Sequence, residues 1–246
     1  MKNRLREAYL VGLFDSLPLL RDPMILVLLS MISFLPVLFT FVITGAGPVT
    51  YQAVVGAIVL SLAFTGLFSS QSVYFNKHWF RFQDILVADG ISPTAYALGL
   101  SFATFIVSVP ALAVALLLLV VWVHPDLVGL LFGALASIAL WISMVFAGFA
   151  IGASTKNVRR ANSFPQVLSF FLGFIPPVYY TLDRLPAEVQ PIALLAPTTH
   201  AAQLAKHYVG LIHLGELDII IGWAYLAIFA AIMAFIAIRK AHWTDP

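Results

Sequence analysis

Long uncharged apolar runs alternate with short polar segments along the whole chain. A helix needs ~20 apolar residues to cross the hydrocarbon core of a membrane. Six runs are close to this length, at about 24–44, 51–70, 95–123, 127–153, 165–182 and 217–238. The pattern therefore predicts an all-α integral membrane protein, in which a single transmembrane domain, residues 1–246, has six transmembrane helices.

The segment before the first run, residues 1–23, has a different pattern. Basic residues at its start are followed by apolar positions spaced about three or four apart, which form one stripe on a helix. The stripe consists of Leu5, Tyr9, Leu10, Leu13, Phe14 and Leu17. We expect a helix at the membrane interface. A cleaved signal peptide is the alternative, but Asp15 interrupts the apolar region and no small-residue cleavage site follows it.

The largest loop, residues 74–99, lies between the second and third runs. Its apolar residues Phe75, Trp79, Phe82 and Leu86 recur at helical spacing, and charged residues occupy the other faces. Gly90 can end such a helix in the left-handed conformation. The pattern predicts a short amphipathic helix at the membrane surface. Two roles remain open for this helix, a simple connection between two spans and a docking element for a cytoplasmic partner.

Prolines interrupt the chain between the fifth and sixth runs. Pro176 and Pro177 break an apolar stretch, and further prolines follow at positions 186, 191 and 197. Proline removes a backbone donor, and broken backbone at membrane depth is tolerated only where it packs in protein or lines a cavity. We therefore expect a helix followed by short re-entrant or interfacial pieces.

Composition agrees with the membrane assignment. The chain is 61% hydrophobic and 10% charged, whereas soluble domains are ~45–50% apolar. The net charge of +2 gives no reason to expect a nucleic-acid partner. The chain has no cysteine, so it forms no disulfide and no thiolate metal site.

The distribution of basic residues predicts the orientation. If both termini lie in the cytoplasm, eleven of the lysines and arginines fall on the inner side, and Arg184 and Lys206 fall on the outer side. Such a bias is typical of membrane proteins, whose cytoplasmic segments are enriched in Lys and Arg. We expect a multi-pass protein of the cell membrane, with Lys206 at an external rim.

The residue types absent from the six apolar runs limit the energy sources that the protein can use. None carries an acidic, basic or histidine residue in its apolar body, which disfavours an ion-coupled carrier. Because a cation site can also be built from backbone carbonyls, an ion-coupled carrier or a channel remains the alternative. The segment GASTK at 152–156 lacks the glycine that a phosphate-binding loop has before its lysine. Any energy from ATP must therefore come from another subunit.

An enzyme is disfavoured on similar grounds. Ser169, His200, His207 and His213 are candidates for chemistry, but no nucleophile elbow, metal-binding histidine pair or carboxylate pair accompanies them. His200 is better explained as an interfacial histidine whose ring is satisfied by backbone or water. We expect no metal and no cofactor bound by this chain itself.

Two stretches resemble a known family. The loop FQDILVADGISPTAYALG is similar to the internal segment of ABC type-2 permeases, in which an amphipathic helix leads to a Ser-Pro turn. The stretch FPQVLSFFLGFIPPVYYTLDRLPAEVQPIALLAPTTHAAQLAK resembles that family's late signature of a fifth helix, a proline-broken exit and a small-residue run. With the six-span layout, the resemblance covers nearly the whole chain. An importer permease is a weaker alternative, because the alanine-rich acidic start of the importer loop is missing.

The resemblance implies the membrane subunit of an ATP-driven exporter. Two permease copies, as a homodimer or a related pair, would work with two copies of a separate ATP-binding subunit, which would bind ATP and Mg. The residues implied to contact that subunit are Trp79, Arg81, Phe82, Asp84, Ile85, Leu86 and Gly90. The residues implied to line the path or its outer gate are Phe170, Phe171, Phe174, Pro176, Pro177, Tyr179 and Tyr180. Packing or a place in the interfacial aromatic belt is an equal alternative for these aromatic residues.

Overall fold

The computed structural model describes residues 2–78, 85, 88–91 and 93–240. This part of the chain is almost entirely helical and contains no strand, which confirms the predicted all-α membrane class. A 3-10 turn at Leu182–Arg184 precedes α7. The helices are α1 (Lys2–Arg21), α2 (Pro23–Thr44), α3 (Pro48–His78), α4 (Pro93–Val123), α5 (Leu127–Ser154), α6 (Val158–Phe174), α7 (Gln190–Ala193), α8 (Pro197–Tyr208) and α9 (Glu216–Lys240).

Four of the described helices are long and apolar enough to cross a membrane. They are α3, the Ala95–Val123 part of α4, α5 and α9. In α2, the shorter stretch Phe34–Thr44 is apolar. The structure thus supports a membrane protein with several apolar helices, and the count of six spans stays a prediction.

The predicted fifth span, residues 165–182, is not a single helix. Helix α6 begins at Val158, after Asn157 caps its first turn, and it ends at Phe174. Pro176 and Pro177 follow directly, and proline can neither donate a helical hydrogen bond nor fit against the preceding turn. The helix therefore starts earlier than predicted and stops before the prolines.

Helix α3 forms the centre of the bundle. It contacts α2, α4, α5, α6 and α8, and nearly every residue between Ala53 and Ser70 is buried. Its contact with α5 is built from small residues. A Cβ atom placed on Gly148 of α5 would lie 2.8 Å from the carbonyl oxygens of Gly66 and Leu67. Small residues let apolar helices approach closely, which compensates for the weak hydrophobic drive between helices in lipid.

We expect Gly148→Ala to destabilise the bundle. The added methyl group would meet two backbone carbonyls, and overpacking of this kind costs ~1–3 kcal/mol. Thermal unfolding in detergent, followed by fluorescence-detected size exclusion, should show a lower apparent Tm. Gly47→Ala is the matched control, because a Cβ atom there meets nothing within 4 Å. Equal Tm values for the two variants would contradict the tight α3–α5 contact.

Helix α1 packs lengthwise against α4 through small residues. Ala8, Val11 and Gly12 are buried, and a Cβ atom on Gly99 of α4 would lie 2.7 Å from the Cβ atom of Val11. The bulky residues Tyr9, Leu10 and Phe14 of the predicted stripe are 52%, 54% and 61% exposed, and the ring of Tyr9 lies 5.8 Å from that of Phe102 on α4. The predicted helix is thus present, and it packs along α4.

Candidate functional site

Two regions carry the predicted functional residues, the loop between α3 and α4 and the stretch after α6. In the loop, Ile85 and Gly90 are the predicted contact residues that the structure describes. Ile85 is 55% exposed, and its carbonyl oxygen accepts the N–H of Asp89 at 3.0 Å, which closes one helical turn. Gly90 has a φ of +75°, so it ends this turn in the left-handed conformation expected of it. The other predicted residues lie outside the described part of the chain: Trp79, Arg81, Phe82, Asp84 and Leu86.

A polar contact joins α1 to the end of α3 that leads into this loop. The Nδ2 atom of Asn76 donates to Oδ1 of Asp15 at 3.1 Å. Burial raises the pKa of the Asp15 carboxyl group, and hydrogen bonds from Asn76 and Ser72 partly oppose the rise. The phenol of Tyr96 on α4 also faces this cluster. In the sequence, Asp15 stands out only as an interruption of the apolar region. Its helical spacing from Ala8 and Val11 was the signal that it belongs to the packed face of α1.

We expect Asp15→Asn to stabilise the protein at neutral pH. The folded state binds a proton in a pH range where the unfolded carboxyl group, with a pKa of about 3.9, is ionised. The free energy of unfolding therefore falls as pH rises through that range. An amide keeps the acceptor for Asn76 and has no charge to bury. The apparent Tm at pH 7 should rise, and the difference should shrink in acid.

Asp183→Asn is the control for this comparison, because Asp183 is exposed on the 3-10 turn. Its apparent Tm should follow that of the native chain across the pH series. A lower Tm for Asp15→Asn at pH 7 would show that the charged carboxylate, not the neutral carboxyl group, stabilises this contact.

The stretch after α6 enters the bundle as a non-helical segment, residues 175–181, which we call the proline segment. It packs on Gly56 of α3. A Cβ atom on Gly56 would lie 2.6 Å from the carbonyl oxygen of Val178 and 3.1 Å from the Cα atom of Tyr179. Gly56 is about 12 Å along α3 from its first residue, Pro48. The proline segment therefore reaches well inside the bundle.

Helix α8 supports the proline segment and α6 from the other side. The Nζ atom of Lys206 donates to the carbonyl oxygens of Pro177 at 3.2 Å and Tyr180 at 2.6 Å. Near the start of α8, the hydroxyl of Thr198 donates to the carbonyl oxygen of Leu172 at 2.6 Å. The segment and the end of α6 are thus held between α3 and α8 by close packing and by side-chain hydrogen bonds.

The placement of Lys206 corrects the prediction of an exposed lysine at an external rim. Its side chain is 0% exposed, and burial lowers its pKa to about 7. A count of charges on each side of the membrane treats every lysine as exposed to water. Here the partners of the Lys206 amine are carbonyl groups that the proline break leaves without a helical hydrogen bond. The signal in the sequence was spacing, because Thr199, Gln203 and Lys206 recur at intervals of four and three on the buried face of α8.

The predicted path residues divide into two groups. Phe170 and Phe171 are 60% and 54% exposed on the outer face of α6, and Phe174 stacks on Phe170 with ring centroids 4.7 Å apart. Phe174 also approaches Tyr179 at 6.0 Å between centroids. The second group is packed inside or half-buried, and its members are Pro176, Pro177, Tyr179 and Tyr180. A ring contact between Phe174 and Tyr179 joins the two groups.

The histidines of this region bind backbone groups and neighbouring rings. The Nε2 atom of His200 lies 2.8 Å from the carbonyl oxygen of Leu194, and its ring stacks on Tyr225 at 4.2 Å. His207 accepts the N–H of Leu214 at 3.1 Å. Within the described ranges, no three histidine, aspartate or glutamate residues group as metal ligands. These histidines therefore anchor α8 to its surroundings.

Comparison with known proteins identifies a family. A family model described as ABC-2 type transporter matches residues 15–207, which is well over half of the chain. The match runs from Asp15 through the loop between α3 and α4 and the proline segment to α8. No curated protein matches the chain.

Proposed function

Because the chain belongs to the ABC-2 type transporter family, and is thus the membrane permease of an ABC transporter, we propose that it works as an exporter subunit. Two copies, as a homodimer or a pair of related permeases, form the path. Two copies of a separate ATP-binding subunit bind ATP and Mg and hydrolyse the nucleotide. The chain itself then holds no cofactor. Changes of nucleotide state in the partner shift the permeases between conformations that they already sample.

The observation that carries this proposal is the placement of the two candidate regions at opposite ends of α3. The proline segment packs at Gly56, and α3 ends at His78, from which the chain continues into the loop. These residues are about 33 Å apart along the helix axis, and the hydrocarbon core is ~30 Å thick. The separation suits a transporter in which energy enters at one membrane face and the path opens at the other.

We assign the loop and both termini to the cytoplasm and the proline segment to the external half of the cell membrane. The assignment takes α2, α3, α4, α5, α6 and α9 as six spans. Its support is the concentration of lysine and arginine on the loop side. Arg184 lies at the opposite end, on the exposed 3-10 turn.

The loop is proposed to dock in a cleft of the ATP-binding subunit. The apolar contacts would be Trp79, Phe82, Ile85 and Leu86, and the polar ones Arg81 and Asp84. The exposure of Ile85 supports this role, since an exposed apolar side chain is available to a partner. Gly90 would set the direction in which the chain returns to α4.

The aromatic face of α6 and the proline segment are proposed to form the path and its outer gate. Phe170 and Phe171 point away from the bundle of their own chain, where a second permease copy or the transported molecule can meet them. The packed members of the set, Pro176, Pro177, Tyr179 and Tyr180, would close the path at its external end. Amphiphilic substrates such as lipids, lipid-linked glycans and drugs all suit such an uncharged path.

Lys206 gives a specific reason to test an ion-coupled carrier as the second candidate. Buried ionisable groups at membrane depth are typical of proton relays and ion-coupled carriers. Lys206 is such a group, although it lies on α8 and not on a predicted span. Its partners are fixed backbone carbonyls, which favours a structural role over proton relay.

Reconstitution in liposomes separates the two candidates. We expect the chain alone to bind no ATP, and we expect it to support ATP-driven transport only with a separate ABC ATPase, the product of an adjoining gene. Transport should persist when an ionophore collapses the proton gradient. A panel of lipids, lipid-linked glycans and amphiphilic drugs provides the substrates. Transport by the chain alone under an imposed pH gradient would overturn the proposal and favour the ion-coupled carrier.

A further inference from the structure

The side chain of Lys206 makes the one buried cationic contact that the described residues show between α8 and the proline segment. It reaches across 26 and 29 positions of sequence to the carbonyl oxygens of Tyr180 and Pro177. The amine is completely buried, and in the described part of the chain no carboxylate pairs with it. This contact is specific, because one amine binds two backbone oxygen atoms, and the residues that carry them lie on either side of the buried Val178.

The proline break creates the need for this contact. A helix would pair the carbonyl groups of residues 177 and 180 with N–H groups one turn later, but the non-helical segment does not. Buried backbone carbonyls that lose their partners cost free energy, above all away from water. The amine of Lys206 donates a hydrogen bond to each of these two carbonyl oxygens. It can do so only while the segment lies against α8.

On its opposite side the segment packs on α3. Val178 is 0% exposed, and its carbonyl oxygen lies against Gly56 of that helix. The two hydrogen bonds of Lys206 join the segment to α8, so they must break if the segment moves away from α8.

We propose that Lys206 is a latch that holds the proline segment closed, and that each transport cycle breaks and remakes its hydrogen bonds to Pro177 and Tyr180. Lys206 is thus a positioning residue and has no contact with substrate. The latch rests on the proposed function only in its second part, the link to the transport cycle. Its first part concerns the resting chain.

Labelling of a buried reporter tests the latch in the chain without its partner. The native chain has no cysteine, so Val178→Cys introduces a single thiol at a completely buried position of the proline segment. We expect it to react slowly with a maleimide. Adding Lys206→Met should accelerate the reaction on the order of tenfold, because two hydrogen bonds that hold the segment are lost. Lys206→Arg, which keeps a donor, should restore most of the protection.

Lys156→Met is the control, because Lys156 is exposed in the turn after α5. It should leave the labelling rate of Val178→Cys unchanged. Equal rates in the Lys206→Met and native backgrounds would overturn the latch. If Lys206→Met does not fold, Lys206→Gln replaces it, because the shorter amide side chain does not reach both carbonyl oxygens and labelling should again be faster than in the native background. Failure of Lys206→Gln to fold would also overturn the latch, because Lys206 would then be required for folding.

The complex with the ATPase tests the link to transport separately. We expect ATP turnover to raise the labelling rate of Val178→Cys, and we expect Lys206→Met to hydrolyse ATP with reduced transport per ATP. A Lys206-dependent labelling rate that ATP does not change would leave the latch in place and overturn its role in the cycle. Absence of any ATP-driven transport by the native complex would count against the proposed function alone.

Discussion

The variant Gly90→Val is expected to abolish ATP-driven transport while leaving the permease folded. Gly90 has a φ of +75°, which a β-branched residue adopts only as an outlier. The left-handed conformation costs L-residues roughly 1–2 kcal/mol, so the turn would reorganise and move the loop that we propose as the docking element. Transport and the stimulation of the ATPase should fall by at least about tenfold.

Gly90→Asn is the matched variant, because asparagine tolerates the left-handed conformation better than other residues with a side chain. It should retain most of the transport activity. A Cβ atom at this position meets nothing within 4 Å, so any loss in the valine variant comes from the backbone and not from a clash. Ile85→Asp, which places a charge on the exposed apolar side chain, should reproduce the loss. Normal stimulation of the ATPase in both Gly90→Val and Ile85→Asp would rule out the docking role.

The second large effect is expected at Gly56. Gly56→Leu should prevent the proline segment from seating and should yield protein that aggregates when extracted in detergent. Even a Cβ atom would lie 2.6 Å from the carbonyl oxygen of Val178 and 3.1 Å from the Cα atom of Tyr179, so the backbone of the segment would have to shift. Overpacking costs ~1–3 kcal/mol for small additions and more for large ones. Gly56→Ala should therefore fold with a clearly lowered apparent Tm.

Gly133→Ala controls for the loss of glycine from an apolar helix. Gly133 lies in α5 against α8, and its nearest neighbours would be 3.5 Å from a new Cβ atom, an ordinary contact. The Gly133→Ala variant should therefore have nearly the same apparent Tm as the native chain. If Gly56→Ala were as stable as Gly133→Ala, the proline segment would not be packed on α3 as described.

The helices were the part of the fold that the sequence predicted best. The apolar runs predict both ends of α4, α5 and α9 to within about two residues, because the thickness of the membrane sets the length of such helices. Helix α3 extends beyond the end of its run at residue 70, to His78. Prolines identified the break after α6, although the helix stops before the first of them. Gly90 was predicted to adopt a left-handed conformation, because few residues other than glycine adopt that conformation without strain.

The features that the sequence did not predict depend on contacts between residues that are far apart in the chain. Lys206 was assigned to water from its charge, but the carbonyl groups that bind it come from a segment more than 25 positions away. Asp15 was taken as a flaw in an apolar stripe, but it faces Asn76 on another helix. The partners that we propose for the loop and for Phe170 belong to other chains, so neither hydropathy nor the fold of one copy identifies them.

The proposed function requires that the loop between α3 and α4 and the stretch after the proline segment lie on opposite faces of the membrane. Single-cysteine variants test it directly, because the native chain has no cysteine. Ala88 in the loop and Glu188 before α7 are both exposed. With a membrane-impermeant maleimide, Glu188→Cys should be labelled in intact cells, and Ala88→Cys should be labelled only after permeabilisation. Labelling of Ala88→Cys in intact cells, with protection of Glu188→Cys, would contradict the account.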